Sequence, residues 1–138
     1  NNLLNYGYMA FRAAMARALC AAGLLPTVGI HHHNRYNPFC LADDLIEPYR
    51  PFVDWRVRNF LTERDAPEFL DREAKQTLLS LFNETIQVGR HRSPLFLALH
   101  ATASSLNDAF ANHQPALALP EGLPVKEESP DETQGHPT

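Results

Sequence analysis

Side chains that could form a metal site are concentrated between residues 29 and 54. Three adjacent histidines, 31 to 33, precede Asp43, Asp44 and Glu47. On a helix, residues three or four positions apart share a face, so Glu47 can pair with either aspartate. A loop histidine folded over that face would complete a site with nitrogen and oxygen ligands. That donor set suits manganese or magnesium, and such an ion can polarise a phosphodiester during phosphoryl transfer.

The same residues also have a purely structural interpretation. Asp43, Asp44 and Glu47 could form a solvated face near the N-terminal end of a helix, where the helix dipole favours acidic groups. Arg50, three residues after Glu47, could be its ion-pair partner. Adjacent histidines in a loop are often simply exposed. Spacing alone leaves both interpretations open.

Apolar residues three and four positions apart predict the helices that must position these groups. One such stripe predicts a helix over residues 3–22, and Gly23 is placed to end it. Asn37 followed by Pro38 is a favourable helix start. Pro48 and Pro51 each remove a backbone donor. A kinked helix or two short helices are therefore expected between the start at Asn37 and about residue 65.

Two further helices complete the predicted body. One is expected over residues 71–88, ended by Gly89, and the other is expected to open at Ser93 and Pro94. Because no hairpin signal or alternating run is found, the fold class predicted for residues 1–114 is all-α.

Composition separates this body from the rest of the chain. The 138 residues are 44% hydrophobic and 20% charged, which is typical of one soluble domain. Residues 1–114 hold 11 acidic and 11 basic residues, so the net charge of −4 lies in residues 115–138. Those residues also carry five of the 11 prolines and are predicted to be an acidic, proline-rich disordered tail. No stretch is long and apolar enough for a membrane span, and no CxxC spacing indicates a zinc site.

The segment from Gly29 to Asp54 resembles the core motif of the CRISPR adaptation integrases, the Cas-one family, in its type II form. The matching residues are Gly29-Ile30-His31-His32, Asn37-Pro38-Phe39, the run from Leu41 to Pro51, and Asp54. In addition, Asn5-Tyr6-Gly7-Tyr8 resembles the start of a core helix of that family, and Ser93-Pro94-Leu95 resembles the start of its last helix. The resemblance covers residues 1–112.

This resemblance implies a metal-dependent integrase or endonuclease of CRISPR adaptation, with Mn²⁺ or Mg²⁺ as cofactor. Such an enzyme inserts new spacers when a 3′-hydroxyl of double-stranded protospacer DNA attacks a phosphodiester of the CRISPR repeat. A cytoplasmic homodimer that assembles with the Cas-two partner protein is implied as well, with no membrane involvement. The family fold is an N-terminal β domain followed by a helical C-terminal catalytic domain, and only the second is expected here.

Carried over residue by residue, the resemblance implies specific ligands. The family's histidine falls on His32 and its carboxylate on Glu47, and both are expected to be catalytic. Asp44 matches an aspartate that contributes in other branches of the family, so it is a further candidate metal ligand. Asp43 is expected to be structural.

Other expectations concern DNA and completeness. Arg50 is expected either to contact a DNA phosphate or to hold Glu47 in place, and Arg35 either to touch the substrate or to lie on the surface. The family's third ligand is a glutamate upstream of the Asn5 motif. This chain starts at Asn1 without it, so we expect a fragment that is inactive by itself. The alternative is a catalytically inert helical module that binds DNA or a protein partner.

Overall fold

The described part of the protein is mostly helical. The computed structural model describes residues 2–24, 40–65, 69–112 and 117–123. Its helices are α1 (Asn2–Ala21), α2 (Cys40–Ile46), α3 (Arg50–Glu63), α4 (Arg72–Leu79) and α5 (Leu95–Asn112). Two 3₁₀ turns, Glu47–Tyr49 and Ser80–Asn83, directly follow α2 and α4. Among these residues, no helix has the length and apolar character that crossing a membrane requires.

Helix α1 is the central element and packs against the four other helices. Phe11, Met15 and Leu19 are fully buried along one face, as the spacing of apolar residues predicts. The helix ends in a Schellman motif, in which Gly23 has a φ of +82°. In this motif, the N–H of Leu24 donates to the Leu19 carbonyl at 2.9 Å.

Helix α1 approaches α3 closely at Gly7. A methyl group added at Gly7 would lie 2.5 Å from Cγ1 of Val53, well inside van der Waals contact. A glycine at this position therefore lets the two helices approach more closely than an alanine would. The close approach brings Tyr8, the next residue on α1, against the exposed start of α3.

Of the two outcomes predicted at the prolines, a kinked helix or two short helices, the structure shows two separate helices. Helix α2 ends at Ile46, the 3₁₀ turn begins at Glu47, and α3 resumes at Arg50. The backbone N–H of Arg50 donates to the Glu47 carbonyl. Pro48 lacks a backbone donor, which shifts the chain from α-helical to 3₁₀ bonding at the position of the Glu47 carboxylate.

A small antiparallel sheet corrects the all-α prediction. Its strands are β1 (Thr85–Val88), β2 (His91–Pro94) and β3 (Pro120–Glu121), in the order β2-β1-β3. The predicted helix over residues 71–88 instead ends at Leu79. Leu78, Phe82 and Ile86 are four residues apart, so their spacing also fits a helix, and a four-residue strand is too short to show clear alternation.

The sequence pattern predicts helix ends at Gly89 and at Ser93–Pro94, whereas these residues belong to the hairpin. Gly89, with a φ of +58°, joins β1 to β2. Ser93 and Pro94 lie in β2, where a proline is tolerated because β2 is an edge strand. Helix α5 starts one residue later than predicted, and the N–H of Leu95 donates to the Glu84 carbonyl at 2.8 Å.

Residues 117–123, here called the strap, lie against the body although the sequence predicts disorder from residue 115. Strand β3 pairs with β1, Gln87 opposite Glu121 and Val88 opposite Pro120. Helix α5 supplies a second anchor through Ser105 and Thr102, whose side chains bond the Ala118 amide and carbonyl at 2.8 and 2.5 Å. The disorder prediction is therefore wrong for the strap, and residues 124–138 lie outside the described part.

Candidate active site

A polar cleft lies between α1 and the junction of α2 with α3. It has a volume of about 380 Å³. The lining residues are Asn5, Tyr8, Met9, Arg12, Asp43, Ile46, Glu47 and Arg50. Helix α1 thus provides four residues of one wall, and the predicted acidic segment provides the other. This cleft, called the α1–α2 cleft below, contains Glu47, one of the two residues expected to be catalytic.

Glu47 and Arg50 form an ion pair at this cleft. The distance between Oε1 of Glu47 and Nη1 of Arg50 is 3.1 Å, and the side chains are 54% and 46% exposed. An ion pair this exposed is weak, because water competes for both groups. The hydrogen bond to Glu47 is the main cause that raises the pKa of Arg50. Arg50 therefore holds Glu47 in this structure, which is one of its two expected roles.

The ring of Tyr8 packs against the Arg50 side chain. The guanidinium carbon of Arg50 lies 4.4 Å from the centre of the Tyr8 ring, within cation–π range. The Tyr8 hydroxyl in turn donates to Oδ1 of Asp54 on α3. Partial burial, followed by the bond to Asp54, raises the pKa of Tyr8. Asp54, Tyr8, Arg50 and Glu47 thus form a continuous row of contacts, which we call the Tyr8 row.

Asp43 faces a different partner. Arg12 on α1 binds it in a bidentate pair, with 2.7 Å from Nε to Oδ1 and 3.1 Å from Nη2 to Oδ2. Asp43 is only 17% exposed, so this pair is better shielded than that of Glu47. Both carboxylate oxygens of Asp43 are used to join α1 to α2, which supports the structural role expected for it. Asp44 is half-buried on α2 and is not one of the residues lining the cleft.

The remaining predicted site residues fall outside the described part of the chain. His32 and Arg35 lie between residues 25 and 39, for which no structure is described. Within the described ranges, no group of three His, Cys, Asp or Glu side chains could hold a metal ion. The ligand set of His32, Glu47 and Asp44 therefore stays a prediction. The exposed hard oxygens of Glu47 are chemically suited to Mn²⁺ or Mg²⁺.

Sequence reasoning missed three residues that shape this site, namely Tyr8, Arg12 and Asp54. Tyr8 and Asp54 both lie within the motifs that carry the family resemblance, but their spacing predicts no role for them at the cleft. The missing information was the packing of α1 across the start of α3, which no local pattern reveals.

Comparison with known proteins agrees with the motif. The family model described as CRISPR associated protein Cas1 matches residues 1–84. CRISPR-associated endonuclease Cas1 of Neisseria meningitidis serogroup C is 37% identical over 128 residues, which is 92% of this chain and 42% of that protein.

Two other relatives extend the comparison. CRISPR-associated endonuclease Cas1 1 of Francisella tularensis subsp. novicida is 34% identical over 87 residues, 62% of this chain and 27% of that protein. CRISPR-associated endonuclease Cas1 2 of Pyrobaculum aerophilum is 32% identical over 108 residues, 77% of this chain and 36% of that protein. The chain spans less than half the length of each of these relatives. The resemblance identified from the motifs is confirmed, and the chain belongs to the Cas1 family.

Proposed function

We propose that this chain carries part of the active site of a metal-dependent CRISPR endonuclease or integrase. The observation that supports it best is Glu47, an exposed carboxylate at the α1–α2 cleft with an arginine beside it. The proposed metal ligands are Glu47, His32 and Asp44. The names of the three relatives, all CRISPR-associated endonucleases, support the same class of reaction.

Glu47 is well placed for this role because its backbone is anchored from the core. Tyr49, two residues later in the same 3₁₀ turn, is fully buried. Its hydroxyl lies 3.0 Å from the Ala98 carbonyl oxygen and 2.7 Å from Oγ1 of Thr102. A carboxylate on a fixed turn loses little conformational freedom when it binds an ion, which favours binding.

A bound Mn²⁺ or Mg²⁺ ion would supply polarisation of the scissile phosphodiester and stabilise its developing charge. The residues of this chain do the remaining work. Glu47 would hold the ion through its carboxylate oxygens, and His32 and Asp44 would be its partner ligands. Arg12 and Arg50 flank the cleft and balance the negative charges of Asp43 and Glu47.

The proposed substrates are double-stranded protospacer DNA and the CRISPR repeat. The 3′-hydroxyl oxygen of the protospacer forms a new bond to phosphorus, and the repeat strand leaves with its own 3′-hydroxyl after the old P–O bond breaks. The proposed setting is a cytoplasmic homodimer assembled with the Cas-two partner.

The test uses the whole natural protein with a labelled protospacer and a repeat duplex, in Mn²⁺, Mg²⁺ or EDTA. Glu47→Gln and His32→Ala are each expected to lower the rate of strand transfer or cleavage by at least about 100-fold, more than the loss of a residue that only supports a ligand. Glu63→Gln, the same change at the exposed end of α3, is the matched control and should keep the wild-type rate.

Wild-type rates from both site variants, or full activity in EDTA, would contradict the proposal. If the whole protein binds DNA but transfers and cleaves no strand in either metal, the inert binding module replaces it.

A further inference from the structure

Arg50 contacts both Glu47 and Tyr8 in the Tyr8 row, and these contacts use only part of its hydrogen-bond donors. Glu47 takes one N–H through Nη1, whereas Tyr8 contacts the guanidinium through its ring and its hydroxyl. A guanidinium has five N–H donors, so donors remain beyond those that Glu47 and Tyr8 engage, and these can meet an anion. If Glu47 turned to another cation, the Tyr8 ring would still hold Arg50 at the cleft.

The charges around the α1–α2 cleft balance in this structure. Arg12 pairs with Asp43 and Arg50 pairs with Glu47, so the cleft offers no net positive charge to a phosphate. Because the Arg50–Glu47 pair is exposed, little free energy opposes an exchange of partners. A divalent ion bound to Glu47 would engage the negative charge that now faces Arg50.

We propose that Tyr8, oriented by Asp54, positions Arg50 to bind a DNA phosphate next to Glu47, and that Glu47 masks Arg50 until a metal ion engages its carboxylate. Under this proposal, Arg50 first holds Glu47 and then, once a metal ion is bound, contacts the DNA phosphate. The inference rests on the proposed function, because it takes Glu47 as a metal ligand. Tyr8 acts here as a positioning residue and does not itself touch the phosphate.

The first experiment measures DNA affinity without metal, so it does not depend on catalysis. A fluorescein-labelled DNA duplex is titrated with the whole natural protein in EDTA at several salt concentrations. Glu47→Gln removes the masking charge and is expected to tighten binding by roughly three- to tenfold, with a salt slope steeper by about 0.9, the value for one added phosphate contact. Glu63→Gln removes the same charge at the C-terminal end of α3, outside the cleft, and is expected to leave the slope unchanged.

The gain in DNA affinity caused by Glu47→Gln must depend on Arg50. Adding Arg50→Gln to Glu47→Gln is expected to abolish it, whereas adding Arg72→Gln, which removes an exposed arginine on α4 outside the cleft, should leave it intact. In the wild type, Mn²⁺ is expected to produce the same rise in affinity, and Arg50→Gln should remove that rise.

The role of Tyr8 is tested in the same background. Tyr8→Leu removes the ring and should abolish the gain, and Tyr8→Phe, which keeps the ring but loses the hydroxyl's bonds to Asp54 and Arg50, should retain part of it. Circular dichroism checks that these variants fold. Arg50→Lys covers the case in which they do not, because it keeps the charge without the planar guanidinium and should also lose most of the gain.

Unchanged DNA affinity in Glu47→Gln, or a full gain that survives Arg50→Gln or Tyr8→Leu, would overturn the inference. If one of these results is found but Glu47→Gln abolishes metal-dependent strand transfer, the proposed function stands and only this inference fails. If the Arg50-dependent gain is found in a protein with no metal-dependent activity, the proposed function fails and the release of Arg50 by metal fails with it.

Discussion

Replacing Gly7 with alanine is expected to push α1 away from α3. The new methyl group would lie 2.5 Å from Cγ1 of Val53, whose side chain is buried and, being β-branched, has few alternative rotamers. Overpacking of this kind costs about 1–3 kcal/mol. Alanine regains about 1 kcal/mol over glycine through helix propensity. The net loss in the free energy of unfolding is therefore expected to be about 1 kcal/mol.

A double-mutant cycle isolates the clash from that background. Val53→Ala alone leaves a cavity and should cost about 2 kcal/mol. In the double variant, the methyl group introduced by Gly7→Ala occupies the space that the Val53 side chain vacates. The combined loss should then be smaller than the sum of the single losses by about 1–3 kcal/mol, the gain expected from relieving the clash.

Urea denaturation provides the measurement, followed by the fluorescence of Trp55, the only tryptophan, which lies half-buried on α3. Val57→Ala is the matched control, because Val57 is also buried on α3 but is not the residue that a Gly7 methyl would meet. The losses in the free energy of unfolding caused by Val57→Ala and by Gly7→Ala should therefore be additive. If the loss in the double variant equals the sum of the losses in Gly7→Ala and Val53→Ala to within about 0.5 kcal/mol, the argument for a close approach at Gly7 is refuted.

Two further predictions concern the buried polar contacts behind the site. Burial raises the pKa of Tyr49 to about 12 from an ordinary 10.0, so the unfolded chain loses its proton first and stability should fall between pH 10 and 12, by up to about 1.4 kcal/mol per pH unit. Urea denaturation across that range should show this fall, and it should be clearly smaller in Tyr49→Phe, where Tyr8, whose pKa is also raised, still contributes. An equal fall in both proteins would exclude Tyr49 as the cause. Ser105→Ala leaves the Ala118 amide without its partner and should cost about 1–2 kcal/mol, with faster hydrogen exchange in the strap. The exposed Ser104→Ala is the control, and unchanged exchange in Ser105→Ala would contradict the anchoring role.

The helices could be predicted because each has a long apolar stripe or a strong local signal. Phe11, Met15 and Leu19 recur at helical spacing within the 20-residue α1, and Pro48 and Pro51 enforce the break between α2 and α3. The sheet could not be predicted in the same way. Its strands have two to four residues, and β3 is set by pairing with β1 more than 30 residues earlier, which a local pattern does not encode.

The candidate site was predictable only on one wall. Spacing placed the acidic residues of α2 and the following turn on neighbouring positions, and the resemblance selected Glu47 among them. The partners that distinguish Asp43 from Glu47 come from α1. Arg12 binds Asp43, whereas Tyr8 packs against Arg50, the partner of Glu47. Such partners depend on helix packing, and their effect on each carboxylate becomes visible only in the folded chain.

The strap also has a consequence for the order in which the chain becomes protected during synthesis. Strand β1 lies between β2 and β3, so one of its edges stays open until Pro120 and Glu121 have been made. All five described helices and the hairpin precede β3 in the chain, so they leave the ribosome before it does. During this interval the open edge of β1 offers unpaired N–H and C=O groups to any neighbouring chain. Two residues of β3 therefore close a surface on which newly made copies would otherwise pair with one another.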